Sequence, residues 1–232
     1  MADKTDQFGL RDYFALNKRI PQISLQISIL NFSPSISFSQ CEEDYKIRQI
    51  FMKRLSEGYK GTYLDIGCYK DGEISNTKIL SLLGWDGIAI DANPDLASHW
   101  NNCRPNDIFM NLAIEHSQNS PKSFSSSAQE KKNKLKFYRF SPGEGGNTID
   151  RETAEKRSQR ADFNVKDVIE IDCLTLSELA AKIISDHPQF KPDVVNIDIE
   201  NVDILDDLPE FLKLLSYPEM LLMEWTDVDN AY

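Results

Sequence analysis

Tyr63-Leu64-Asp65-Ile66-Gly67-Cys68-Tyr69-Lys70-Asp71-Gly72 is the stretch on which the fold turns. Residues 62–66 (TYLDI) predict a short buried strand that runs directly into Gly67. A residue without a side chain there lets the backbone turn tightly and lets a ligand approach the main chain closely. Residues 77–83 read as a short helix stopped by Gly84, and residues 87–90 (GIAI) as a second apolar strand ending at Asp91. Strand, helix and strand in this order form the βαβ unit of a parallel sheet. Right-handed crossovers then bring the loops after each strand to one edge of the sheet, where ligands of such folds bind.

Further runs extend the pattern. Residues 107–114 (DIFMNLAI) predict a third strand, residues 193–199 (DVVNIDI) a fourth and residues 220–224 (MLLME) a fifth. Between the third and fourth, residues 135–140 and 168–174 are strand-like and placed to pair as an antiparallel insertion. Residues 117–136, rich in Ser and Lys, predict a flexible surface insertion, and their basic run Lys131, Lys132, Lys134, Lys136 reads as a solvated face. Ser39 with Glu42, and Thr175 with Glu178, have capping-box spacing and predict helix starts. The first helix should stop at Gly58, and the second should run through Ile184. A helix over residues 203–215 contains Pro209, which is expected to split it. Residues 1–38 predict a lead-in that covers the core, with Ile23, Leu25, Ile27 and Ile29 alternating as in a strand between Pro21 and Pro34. Residues 39–232 form the main domain, an open α/β sheet.

The chain has 232 residues, 41% of them hydrophobic and 10% aromatic, enough for a real core. Its 37 acidic against 26 basic residues give a net charge of −11, which argues against nucleic acid and anionic membrane surfaces as partners. No stretch is apolar for the ~20 residues of a membrane span, and the N-terminus lacks a secretory pattern. A cytoplasmic location is expected. Cys41, Cys68, Cys103 and Cys173 have no metal-type spacing and read as free thiols, Cys68 as a packing residue; His99, His116 and His187 lie far apart. No metal is expected.

Two nucleotide motifs fail on spacing. A dinucleotide fold needs G-x-G-x-x-G, but Cys68 and Tyr69 follow Gly67. A P-loop needs Lys after its second glycine, but Glu73 follows Gly72. The turn therefore suits a nucleoside without a phosphate chain, with Asp91 accepting from ribose hydroxyls. The plain alternative is a glycine turn after a core strand, with Asp91 as a solvated strand end.

Six short motifs in one order add a resemblance. They are Ser39-Gln40-Cys41-Glu42-Glu43-Asp44, residues 63–68 followed by Ser75-Asn76-Thr77, residues 84–94 (GWDGIAIDANP), Asn111-Leu112-Ala113-Ile114, residues 175–179 (TLSEL), and Asn196-Ile197-Asp198-Ile199-Glu200. Together they resemble the FkbM family of S-adenosylmethionine-dependent methyltransferases, from about Ser39 to Glu224. The resemblance implies a Rossmann-like class I methyltransferase fold with helices on both faces of a mostly parallel sheet, and S-adenosyl-L-methionine as cofactor. It implies that Asp65, Gly67, Cys68 and Asn76 shape the pocket for the methionine part. Asp91, with Ala92 and Asn93, would hold the ribose, and Asn111 and Ala113 would lie near the adenine. Gln40, Glu43 and Asp44 would close over the cofactor. Asp198 and Glu200 would be catalytic, facing the methyl group and an acceptor hydroxyl on a sugar, glycan or natural-product-like molecule.

Methyl transfer to a hydroxyl requires a proton acceptor, which a carboxylate at a strand end supplies. Residues two apart in a strand point the same way, so Asp198 and Glu200 are expected to share a face. The sequence departs from the family in Glu42 and Asn201, each standing where the family has glycine. It also ends eight residues past Glu224, so the family's C-terminal strand pair is expected to be missing. An uncovered sheet edge would favour a homodimer. These departures keep open a non-catalytic or truncated methyltransferase-fold binding module. A dinucleotide-dependent oxidoreductase is the weaker alternative.

Overall fold

The computed structural model describes residues 37–71, 74–116, 133–141, 146–160, 163–199 and 202–223. Outside them fall the alternating segment 23–29, most of the 117–136 insertion with Lys131 and Lys132, Gly72, Glu73, Glu200, Asn201 and residues 224–232.

Helix α1 (Glu43–Ser56) precedes strand β1 (Thr62–Ile66), α2 (Lys78–Leu82), β2 (Asp86–Asp91), α3 (Leu96–Cys103) and β3 (Ile108–Asn111). The short β4 (Ala113–Ile114) leads toward β5 (Asn133–Ser141), α4 (Arg151–Ser158), β6 (Asn164–Leu174) and α5 (Leu176–Asp186). Strand β7 (Val194–Ile197), a 3-10 helix (Val202–Asp206), α6 (Leu208–Leu214) and β8 (Met220–Met223) complete the order. The main sheet runs β3-β2-β1-β7-β8, and every pairing within it is parallel. A second sheet runs β4-β6-β5, with β5 and β6 antiparallel. The architecture is Rossmann-like, an α/β sheet flanked by helices.

Strand alternation sorts the core onto two faces. Leu64 and Ile66 of β1, Ile88 and Ile90 of β2, and Val195 and Ile197 of β7 pack against Leu179, Ile183 and Phe211 of α5 and α6. On the other face Tyr63 and Val194 meet Ile47, Phe51, Ile79 and Trp85. Burial on both faces explains why these strands read as unbroken apolar runs.

Four expectations need correction. The Ser39–Glu42 capping box does not form: Glu42 sits at the N-cap with φ 63 and makes no side-chain cap bond. The Ser37 and Ser39 hydroxyls instead donate to the buried Asp44 carboxylate, which also accepts from the Phe38 amide at 2.8 Å. The run 107–114 is two strands: the Leu112 amide makes the last ladder bond to Asp91 O in the main sheet, and Ala113 and Ile114 then pair with β6 in the second sheet. Strand β5 begins at Asn133, inside the predicted surface insertion. Strand β7 ends at Ile197, so strand alternation does not govern Asp198 and Glu200. The Thr175–Glu178 box is present in both directions, Gly58 and Gly84 end α1 and α2 at positive φ, and Pro209 stands at the start of α6 after the 3-10 helix. Among the described residues β8 is the edge of the main sheet, and no helix among them is long and apolar enough to cross a membrane.

Candidate functional site

A cleft of about 360 Å³ opens at the carboxyl ends of β1, β2 and β7, large enough for a small molecule. Its centre is the turn after β1. The Gly67 amide donates to Ile90 O at 2.8 Å, and the Cys68 amide donates to the same oxygen at 3.1 Å. Gly67 has φ +80, and a Cβ there would stand 1.9 Å from Asp198 O. The glycine is thus required first by the close passage of the chain after β7, and it also lines the cleft.

On the β2 side of Gly67 the wall is Asp91, Ala92 and Asn93, continued by Leu112, Ala113 and Ile114. The Asp91 carboxylate is fixed in place by two backbone donors, Tyr69 N at 3.0 Å and Asn93 N at 2.8 Å. Tyr69 holds φ 47, and its carbonyl accepts from Trp100 Nε1. The facing wall comes from the second sheet and its connection: Phe137, Asn147, Thr148 and Ile149. Arg139 ties the two walls, bonding Asp95 at 2.9 Å on one side and Asp167 on the other. On the β7 side the lining is Asp198, Ile199, Ile74 and the exposed Gln40. This side is knit together by Ser75 N donating to Phe38 O and by Asn76 Nδ2 donating to Asn196 Oδ1.

The sequence-predicted residues divide accordingly. Gly67, Asp91, Ala92, Asn93, Ala113, Gln40 and Asp198 meet at the cleft. Asp65, Cys68, Asn76, Asn111, Glu43 and Asp44 do not line it, and Glu200 lies outside the described residues. Asp65 shares the face of Tyr63, and the parallel register sets it beside Asn196, which donates to it at 2.9 Å. Cys68 packs with Ala89, Leu96 and Trp100, and burial pushes its thiol well above the ordinary range, which suits packing rather than nucleophilic chemistry. Asn111 donates to the carbonyls of Asp91 and Ala92 and so braces the wall from behind. Glu43 accepts from the Cys41 amide.

Beneath the turn lies a buried polar network that no local motif announces. Arg104, 2% exposed, donates to Asp71 at 2.6 Å, Thr77 at 2.8 Å, Ser75 at 2.8 Å and Tyr63 at 3.0 Å. Lys78 donates to the other Asp71 oxygen, and Thr77 passes its own hydroxyl proton toward Asp65. Burial would raise the Asp71 carboxyl, but Arg104 and Lys78 outweigh it and hold it below its ordinary value. Asp65 shifts the other way: burial raises it more than the Thr77 bond and Arg104 lower it.

Chemically, half of the lining residues are aliphatic, with Tyr69 beside the turn and Phe137 on the second-sheet wall as the aromatic ones. Its charged lining residues are two carboxylates, Asp91 and Asp198, and among the described residues no lysine or arginine lines it. No group of three or more His, Cys, Asp or Glu among the described residues is arranged to hold a metal ion. The protein is therefore of the Rossmann-like α/β class, with an acidic cleft at the strand ends. No protein-family model matches the chain, and neither a curated protein nor a solved structure is similar enough to count as a match.

Proposed function

We propose that this protein is an S-adenosylmethionine-dependent methyltransferase acting on a hydroxyl of a sugar, glycan or natural-product-like acceptor. The observation that carries the reading is the charge of the cleft: Asp91 and Asp198 flank Gly67, and among the described residues no cation lines the walls. Such a site favours a nucleoside bearing a positive sulfur and disfavours a pyrophosphate, which argues against a dinucleotide. The residues fit the group. Asp91 presents a carboxylate already oriented by two amides to the hydroxyls of a ribose. Leu112, Ala113, Ile114 and Phe137 offer apolar surface to a purine. The resemblance to the FkbM family supports the same assignment and supplies the acceptor class.

Held by Asp91 and the apolar wall of Leu112 to Ile114 and Phe137, the cofactor would supply an electrophilic methyl group with a neutral thioether as the leaving group. The chain's task is to hold the acceptor oxygen about 3 Å from the carbon and in line with the breaking bond, which is worth several kcal/mol of the barrier. Asp198, half-buried at the cleft, takes the hydroxyl proton directly or through a water.

Calorimetric titration of the full chain with S-adenosylhomocysteine tests the reading. Saturable binding is expected, with no binding of NAD. Asp91→Ala should weaken the affinity about tenfold or more, the worth of a hydrogen bond to a charged group. Absence of binding at high micromolar S-adenosylhomocysteine overturns the reading.

A further inference from the structure

The β7 side of the cleft has a feature that cofactor binding does not account for. Ile74 is 57% exposed, lines the cleft, and holds φ 53. A single exposed isoleucine is ordinary. A β-branched residue in the left-handed region is not, and strain of that kind persists only where the surroundings enforce it. Here they do. The next residue, Ser75, is anchored through its amide to Phe38 O at 2.8 Å and through its hydroxyl to Arg104 at 2.8 Å. The residue after that, Asn76, is anchored to Asn196 at 2.9 Å. These bonds pin the turn to the N-terminal segment, to α3's end and to β7 together. The result is an aliphatic side chain held out at the mouth of the cleft.

Ile199 is the second aliphatic group at this mouth, set where its Cγ2 would lie 3.0 Å from a Cβ on Gly67. Asp198 is the charged lining residue on the same side, and Gln40 adds a neutral polar group. Among the described residues, an anionic acceptor would meet a carboxylate and no cation here. A small, fully hydroxylated one would leave both isoleucines in water.

We infer that the acceptor is uncharged and carries an aliphatic face beside its reactive hydroxyl, with Ile74 and Ile199 covering that face and Asp198 directed to the hydroxyl. This rests on the adenosyl reading of the neighbouring half of the cleft and narrows the acceptor class it leaves open. Burying aliphatic area on Ile74 and Ile199 stabilises the complex. The same contact excludes water from around Asp198, where a proton must be taken up.

The test uses the full chain saturated with S-adenosylhomocysteine and three probes: octyl β-glucoside below its micelle concentration, glucose, and glucose 6-phosphate. Calorimetry should show saturable binding of octyl β-glucoside, glucose at least tenfold weaker, and no binding of glucose 6-phosphate. Ile74→Asn separates contact from scaffold, because asparagine tolerates positive φ better than isoleucine. This variant should keep or raise the melting temperature and keep the S-adenosylhomocysteine affinity, while octyl β-glucoside binding falls about tenfold, the order expected for losing part of a buried isoleucine. Failure of octyl β-glucoside to bind, tighter binding of glucose 6-phosphate, or an unchanged octyl β-glucoside affinity in Ile74→Asn overturns the acceptor proposal alone. Failure of S-adenosylhomocysteine to bind the native chain removes the adenosyl reading, and the acceptor proposal goes with it.

Discussion

A methyl group added to Gly67 would overlap the Asp198 carbonyl oxygen, which is backbone and has nowhere to retreat without moving β7. The same residue needs φ +80, which costs an alanine further. Gly67→Ala is therefore expected to destabilise the protein by about 3 kcal/mol or more, combining overpacking with backbone strain. Urea denaturation with an unchanged m-value measures it. A loss under about 1 kcal/mol, within the range of ordinary surface changes, means that the chain after β7 yields easily and that the glycine answers to a ligand instead. The glycine was recognisable in the sequence as a tight turn. The group that demands it was not, because Asp198 lies 131 positions away in the chain from Gly67 and meets it only through the β1–β7 pairing.

Helices α2 and α3 are held to the sheet by ions as well as by apolar contacts. Asp71 joins them, receiving Arg104 on one oxygen and Lys78 on the other, all three residues at or below 8% exposure. Removing one partner from such a group leaves a buried charge uncompensated, so Asp71→Ala should cost about 3–5 kcal/mol. The pH dependence carries a sign. The folded-state pKa of Asp71 lies below its unfolded value, so its contribution is complete above the unfolded value and is lost as pH falls through the folded one. Asp65 opposes it: its folded-state pKa is raised, so its contribution is present at low pH and is lost as pH rises through the folded value. Denaturation midpoints measured from neutral pH downward should fall less steeply in Asp71→Ala than in the native chain. Parallel curves would show that folding leaves the pKa of Asp71 at its unfolded value.

Elements built on apolar periodicity were legible in the sequence: all five main-sheet strands, α5 with its capping box, and the break at Pro209. Helix α4 was not, because Ala154 is its one buried residue and no apolar face marks it. Half of the anticipated site residues reach the cleft. The miss at Asp65 has a simple cause, since strand alternation turns it to the face of Tyr63 and away from the ligand edge. Phe137, Thr148 and Ile149 were overlooked because they belong to the insertion, and only the folded chain brings its sheet against the end of β2.

That meeting of two sheets is the largest feature of the molecule relevant to its activity. The main sheet supplies Gly67, Asp91 and Asp198; the second supplies Phe137 directly and Asn147 to Ile149 through the Tyr138–Thr148 bridge. The walls are connected at β4, which leaves the main sheet after Leu112, and by the Arg139–Asp95 ion pair at 2.9 Å, in which Asp95 is 48% exposed. Partly exposed pairs of this kind contribute little on their own. A ligand that touches both walls would therefore add a large share of their coupling. Bound at 100 times its Kd, it stabilises the folded state by about 2.7 kcal/mol, and segments that open locally gain protection in proportion to their contact with it. Hydrogen exchange with and without S-adenosylhomocysteine should show slower exchange at residues 67–69, 91–93 and 112–114 and, in the same experiment, at 147–149. Residues 220–223 of β8, which do not line the cleft, should change only with global stability. Protection confined to the main-sheet residues would mean that the second sheet does not close on the nucleoside and that its wall serves some other molecule. Protection at β8 equal to that at 67–69 would mean that binding is read out globally, with no local contact at the turn. Slowing at both walls, together with loss of the 147–149 effect in Arg139→Ala, would identify the insertion as the second half of the ligand site.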